Sequence, residues 1–179
     1  MKKAIGYSEY ASLLDCFIAL VQEAWGDQVC SVVLYGSVSR GEAGPESDVD
    51  LLLILKEASP VYRQRLQPLI PLLRRLRRQS CWNELEASGC FPSLSVLVLS
   101  REEAEQNRLL YLDMIDVARI LLDRDGFFQG RLDALKVRLR ELGAKKVRRD
   151  GTWYWDLKPD LKPGGRNPMS RSMREEGEK

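Results

Sequence analysis

The chain has 179 residues, 44% of them hydrophobic and 30% charged, and 28 Lys and Arg against 26 Asp and Glu leave a formal charge of +2. This is ordinary for a soluble globular protein with one compact domain and a tail, and no apolar run is long enough to span a bilayer. Met1-Lys2-Lys3 leads into a mixed segment with Glu9 and Asp15 rather than a signal peptide, so a cytoplasmic protein is expected. Four cysteines, at 16, 30, 81 and 90, are too sparse for a disulfide scaffold, and the absence of histidine removes both a mixed zinc site and the commonest general base.

In chain order, Leu13, Leu14, Phe17, Ile18, Val21 and Trp25 recur at intervals of three and four residues, which predicts an amphipathic helix over Tyr7 to Trp25, closed by Gly26. Val29 to Tyr35 reads as a first core strand, and Val49 to Leu55 as a second. Between them lie a polar loop and a short helix. Pro60 to Gln79 reads as helix, kinked or divided by Pro68 and Pro71. Cys81 and Cys90 flank a stretch around Trp82 read as loop, which would bring those two cysteines near one another. Ser93 to Leu99 is the third strand. A long helix is expected from Glu102 to Asp123, with Ser100 and Glu103 forming a capping box at its start. A last helix runs from Leu132 to Leu142, with Gly143 as its stop. The alternation of elements predicts an α/β fold, a mixed sheet with flanking helices.

The segment joining the first two strands carries the chemistry. It reads Gly36-Ser37-Val38-Ser39-Arg40-Gly41, then Glu42 to Glu46, then Ser47-Asp48-Val49-Asp50. Side chains alternate along a strand, so Asp48 and Asp50 share a face while Val49 turns into the core. An ordinary polar turn does not require two acids aimed at one place; a cation that joins them does. Gly36 lets the backbone leave the strand sharply and approach a ligand closely. Ser37 can offer a hydroxyl and an N–H to phosphate, and Arg40 can brace the phosphates or the loop.

A Gly-Ser pair, an Arg-Gly and then Ser-Asp-x-Asp before an apolar strand closely resembles the signature of the nucleotidyltransferase superfamily of the polymerase-beta type. The resemblance implies a nucleotidyltransferase-like fold and transfer of a nucleoside monophosphate from a nucleoside triphosphate to a hydroxyl acceptor, which could be RNA, protein or a small molecule. It further implies Mg2+ or Mn2+ on Asp48 and Asp50 as the catalytic pair, and phosphate contacts from Gly36, Ser37, Arg40 and Ser47. Active members usually carry a third carboxylate on a later strand, which here is Ser93 to Leu99 and contains no acid. Ser93 or Ser95 stands where that group is expected, and a hydroxyl is a weaker magnesium ligand than a carboxylate. Three outcomes stay open. One metal on Asp48 and Asp50 suffices, or Glu84, Glu86, Glu102 or Glu103 reaches in, or the site binds nucleotide without turnover. The last corresponds to a catalytically degenerate nucleotide-binding or interaction protein, such as the nucleotidyltransferase half of a toxin–antitoxin pair, with a partner protein.

Arg63, Arg65, Arg74, Arg75, Arg77 and Arg78 form one basic cluster, and Lys145, Lys146, Arg148 and Arg149 another. Such runs either track a nucleic-acid backbone or an acidic protein, or form a solvated helix face. Beyond Asp150 the composition changes to an aromatic, proline-punctuated stretch, Trp153 to Gly164, followed by a polar tail, Arg166 to Lys179, with a disordered composition. The aromatic stretch resembles the C-terminal segment of a group of small prokaryotic nucleotidyltransferase-domain proteins. It is expected to pack as an ordered arm. The resulting organisation is a core over 1–100, a helical extension over 101–150, and a Trp-rich arm with its tail over 151–179.

Overall fold

The structure is a computed structural model that describes residues 5–106, 108–149, 152–157 and 159. The expected polar tail from Arg166 to Lys179 lies outside these residues, as does half of the aromatic stretch. The chain divides into two compact units, Met1–Lys136 and Val137–Lys179. Among the described residues no helix is long and apolar enough to cross a membrane.

In the first unit, helix α1 (Tyr7–Trp25) has the bounds that the apolar stripe predicts, and it buries Leu13, Leu14, Phe17 and Val21. The Glu9 carboxylate accepts from the Gly6 N–H at 3.0 Å and caps the first turn. Strand β1 (Val29–Tyr35) follows, then a one-turn helix α2 (Gly36–Arg40) and strand β2 (Asp48–Leu55). Leu51, Leu52, Leu53 and Ile54 are all fully buried, so β2 is covered on both faces and reads as a continuous apolar run rather than an alternating one. Each such side chain contributes roughly 1.5–3 kcal/mol of transfer free energy.

The proline-marked region divides as expected. Helix α3 (Tyr62–Leu66) ends before Pro68, and α4 (Leu69–Leu76) begins after it, burying Leu72 and Leu76. The stretch around Trp82, expected as loop, is instead helix α5 (Ser80–Ala87). Trp82 is buried on it, with its indole N–H donating to Glu86 Oε1 at 2.8 Å one turn later, a local bond that a helix alone can satisfy. The Cys81 thiol lies within hydrogen-bonding reach of Cys16 on α1, and burial pushes it up to about 12. Strand β3 (Ser93–Ser100) then lies parallel to β2, which requires the helical crossover that α3, α4 and α5 supply.

The largest departure from expectation is the long helix over 102–123. It is three elements: α6 (Arg101–Glu105), α7 (Leu110–Met114) and a strand, β4 (Arg119–Asp123). The capping box holds, with Glu103 N–H on Ser100 Oγ at 3.1 Å and Ser100 N–H on Glu103 Oε2 at 2.9 Å. The strand exists because β1 would otherwise leave a row of backbone groups unpaired. Ile120, Leu121 and Leu122 form a short apolar run whose periodicity does not separate helix from strand, and pairing with β1 decides the matter. The Ser31 hydroxyl, fully buried on β1, donates to Asp123 Oδ1 at 2.6 Å. Asp123 also accepts from the Phe128 and Gln129 N–H groups at 2.9 and 3.0 Å, so the residue that fixes this strand pair caps helix α8 (Phe127–Glu141). That helix starts five residues before the expected Leu132. The sheet order is β3-β2-β1-β4, with β1 antiparallel to both neighbours, so the sheet is mixed as expected.

In the second unit, Gly143 at φ +65° closes the helix, donating to Arg140 O at 3.0 Å while Ala144 N–H reaches Leu139 O at 2.9 Å. An antiparallel pair follows, β5 (Lys145–Arg149) and β6 (Thr152–Asp156), with Val147 opposite Tyr154. The basic cluster and the start of the aromatic arm are thus two strands of one hairpin.

Candidate functional site

One end of the four-stranded sheet gathers the residues of the Gly-Ser and Asp-x-Asp segment. β1 finishes there, and β2 and β3 begin there. The antiparallel register sets Tyr35 opposite Asp50, and the parallel register sets Asp48 beside Ser93 and Asp50 beside Ser95. Asp48 is exposed, Val49 fully buried and Asp50 half-buried, so the two acids share the open face as strand alternation requires.

Gly36 is needed here on two counts. Its φ of +74° is a left-handed conformation that side-chain-bearing residues rarely adopt, and a Cβ would meet Asp50 Oδ2 at 2.1 Å. The Asp50 carboxylate therefore sits in the space that any side chain on this turn would need. Burial, and then the neighbouring Asp48 charge, push the Asp50 carboxyl above its ordinary value; Ser95, within hydrogen-bonding reach, and the Arg40 charge oppose that rise. The Asp50 charge and burial together raise the Tyr35 phenol, burial being the larger cause. Tyr35 was absent from the sequence-level site. The signal for it is the strand pairing, because the residue opposite the second acid is set by the register across the loop.

The loop is built from its own polar groups. The Ser47 hydroxyl accepts from the Gly44 N–H at 2.8 Å, and Ser47 N–H donates to Gly44 O at 3.1 Å, which closes a turn ahead of Asp48. Arg40 Nε donates to Glu42 Oε2 at 2.7 Å. Ser37 contributes its carbonyl to the Glu42 N–H at 3.0 Å, while Ser39 Oγ donates to Val117 O and ties α2 to the segment that precedes β4.

None of the four glutamates considered as a third acid joins the pair. Glu103 binds Arg65 through two bonds of 2.6 and 2.9 Å, and Glu86 accepts from Trp82. Glu102 and Glu103 follow the far end of β3, eight residues from its start, or about 25 Å at strand rise. Among the described residues no group of three His, Cys, Asp or Glu side chains converges on one point. The position beside Asp50 belongs to Ser95. Three of the six arginines of the first cluster make contacts within the fold: Arg65 holds Glu103, Arg75 pairs with Glu23 at 2.6 Å, and Arg77 lies over the Trp82 ring at 5.4 Å.

Comparison with known proteins adds to this geometry. The nucleotidyltransferase domain family matches residues 15–81, which span α1 to the start of α5 and contain every residue of the loop and the acid pair. A protein of Methanocaldococcus jannaschii, MJ1305, named as a candidate protein adenylyltransferase, is 22% identical over 147 residues, covering 79% of this chain and 91% of that protein. Similar solved structures include a toxin–antitoxin protein with AMP-PNP, 14% identical with a TM-score of 0.41 over 72% of this chain and 91% of that one. Another is the spectinomycin adenyltransferase AAD(9) of Enterococcus faecialis with ATP and spectinomycin, 11% identical with a TM-score of 0.48 over 74% of this chain and 66% of that one. The matched segment brackets the Gly-Ser loop and both acids, so residues 15–81 of this chain are similar to a nucleotidyltransferase domain.

Proposed function

We propose that this chain is a nucleotide-binding protein on a nucleotidyltransferase domain, in which Asp48 and Asp50 hold one divalent cation, Mg2+ or Mn2+, with the outer phosphates of a nucleoside triphosphate. Nucleotidyl turnover is slow or lost, and the output is an interaction with a partner protein, as in the nucleotidyltransferase half of a toxin–antitoxin pair. The observation that carries this reading is Ser95 beside Asp50, on the strand where the resemblance leads a third carboxylate to be expected.

The residues fit such an ion. Two carboxylates and the Ser95 hydroxyl form an all-oxygen donor set suited to a hard cation, and the missing Cβ at Gly36 leaves Asp50 Oδ2 its space. When bound, the cation supplies charge neutralisation for the triphosphate. The chain's own part is positional. The Gly36 turn sets Asp50, the Ser47 turn sets Asp48, and Ser37 and Arg40 stand on the loop where phosphate oxygens would lie. An anion arriving there frees Arg40 from Glu42, an exposed pair worth under about 1 kcal/mol.

The second reading is transfer of a nucleoside monophosphate to a hydroxyl on a protein. The relative named as a candidate protein adenylyltransferase favours it, because the match extends over 91% of that protein. One experiment separates the two. Purified protein is incubated with ATP labelled at the α-phosphate, magnesium or manganese, and extract from its source cells. Saturable nucleotide binding with no covalently labelled product supports the binding reading; a labelled protein band that disappears in Asp50→Asn supports transfer.

A further inference from the structure

The geometry points to a second anion site at the opposite end of the sheet, built to take a phosphate or pyrophosphate group. A pocket of about 390 Å3 opens there, lined by Val29, Cys30, Lys56, Arg101, Arg124 and Asp125. It is within the size range of small-ligand sites. The topology explains its charge. Because β2 and β4 run antiparallel to β1 and β3 runs parallel to β2, three strands end where β1 begins. The residue directly after each of those three ends is a cation: Lys56 after Leu55, Arg101 after Ser100, and Arg124 after Asp123. The eight residues of β2 separate this pocket from the acid pair by about 25 Å, so the two sites are distinct.

All three side chains line this pocket, and Arg101 lies within hydrogen-bonding reach of the Cys30 thiol, buried at the start of β1. Their existing partners leave donors unused. Arg124 donates from one terminal nitrogen to Asp27 Oδ1 at 2.6 Å and from the other to Gly26 O at 3.2 Å. Arg101 has Glu105 at 3.7 Å and lies over the Phe127 ring at 4.5 Å. Lys56 has no side-chain partner among the described residues. Asp125 is the one carboxylate in the lining, and Asp27 and Glu105 reach Arg124 and Arg101 from outside it, so an incoming anion is held by Lys56 and by the donors that the two arginines leave unused. Donors arriving from three strand ends suit a tetrahedral group with several oxygens, whereas a planar carboxylate is satisfied by a single arginine fork.

The test is calorimetric titration of the full chain with pyrophosphate and, separately, with ATP in metal-stripped low-salt buffer, where the acid pair has no cation to recruit phosphate. Binding with one site per chain is expected, weakened at least tenfold in both Lys56→Glu and Arg101→Gln and unchanged in the double variant Asp48→Asn, Asp50→Asn. Tighter binding of pyrophosphate assigns a free anion and tighter binding of ATP a phosphate ester, and either result supports the site. Circular dichroism confirms folding, and if Arg101→Gln unfolds, the exposed Lys56→Glu decides alone. No saturable binding of either compound, equal affinity in Lys56→Glu, or loss in the Asp48 and Asp50 variant overturns the proposal.

Discussion

Gly36 and Asp50 are a single unit at the residue scale: the carboxylate of one fills the space that a Cβ on the other would need. Gly36→Ala is expected to cost about 2 kcal/mol, from the left-handed φ and the displaced carboxylate, and to weaken magnesium-dependent nucleotide binding more than tenfold. Thermal denaturation and calorimetry on one sample check both, and a change in stability alone would detach the turn from the ligand. Ser95 gives the converse experiment. Ser95→Asp adds a third carboxylate to a pair in which Asp48 already pushes the Asp50 carboxyl upward, so the metal-free protein loses about 1 kcal/mol. Manganese should then raise its melting temperature further than it raises that of the unaltered protein. An equal rise in both would mean that position 95 faces no metal.

Between elements, the clearest clamp joins α3 to the start of α6. Arg65, with 7% of its side chain exposed, grips the Glu103 carboxylate, and Glu103 caps the helix that follows β3. The Arg65 bond, opposed by burial and aided by the Ser100 backbone, holds the Glu103 carboxyl below its ordinary value of 4.5. A lowered folded value means that the pair's stabilisation is present above pH 4.5 and is lost as pH falls through that lowered value. Glu103→Gln should therefore cost about 1–2 kcal/mol at pH 7, and the difference from the unaltered protein should shrink below pH 4.5. Urea titrations at pH 7 and below 4.5 measure it; a difference that is constant with pH would exclude the ionised pair as the cause.

What was legible in the sequence at this scale was set by local physics. The α1 bounds, the divided helix around Pro68 and the Ser100 cap each depend on residues a few positions apart. β4 was not legible, because Ile120 to Leu122 is apolar enough for a helix and only β1's unpaired edge selects a strand. The α5 helix was missed because Trp82 and two cysteines suggest a loop, and its register depends on burial against the core. The acid pair was legible because two residues of spacing on a strand settle its geometry, whereas Tyr35 entered the site only through pairing across the loop.

For the whole molecule, an antiparallel pair and a parallel crossover put the Gly-Ser turn and both acids at one end of a sheet and three cations at the other. The proposed function depends on the first of those ends holding a metal-bound triphosphate. The most direct test is calorimetry with a non-hydrolysable ATP analogue, with and without magnesium, on the unaltered chain and on the double variant Asp48→Asn, Asp50→Asn. The account predicts binding that is at least a hundredfold tighter with magnesium, or about 2.7 kcal/mol, and a magnesium effect that is absent in the variant. An affinity that magnesium leaves unchanged, or that both substitutions leave intact, would contradict it.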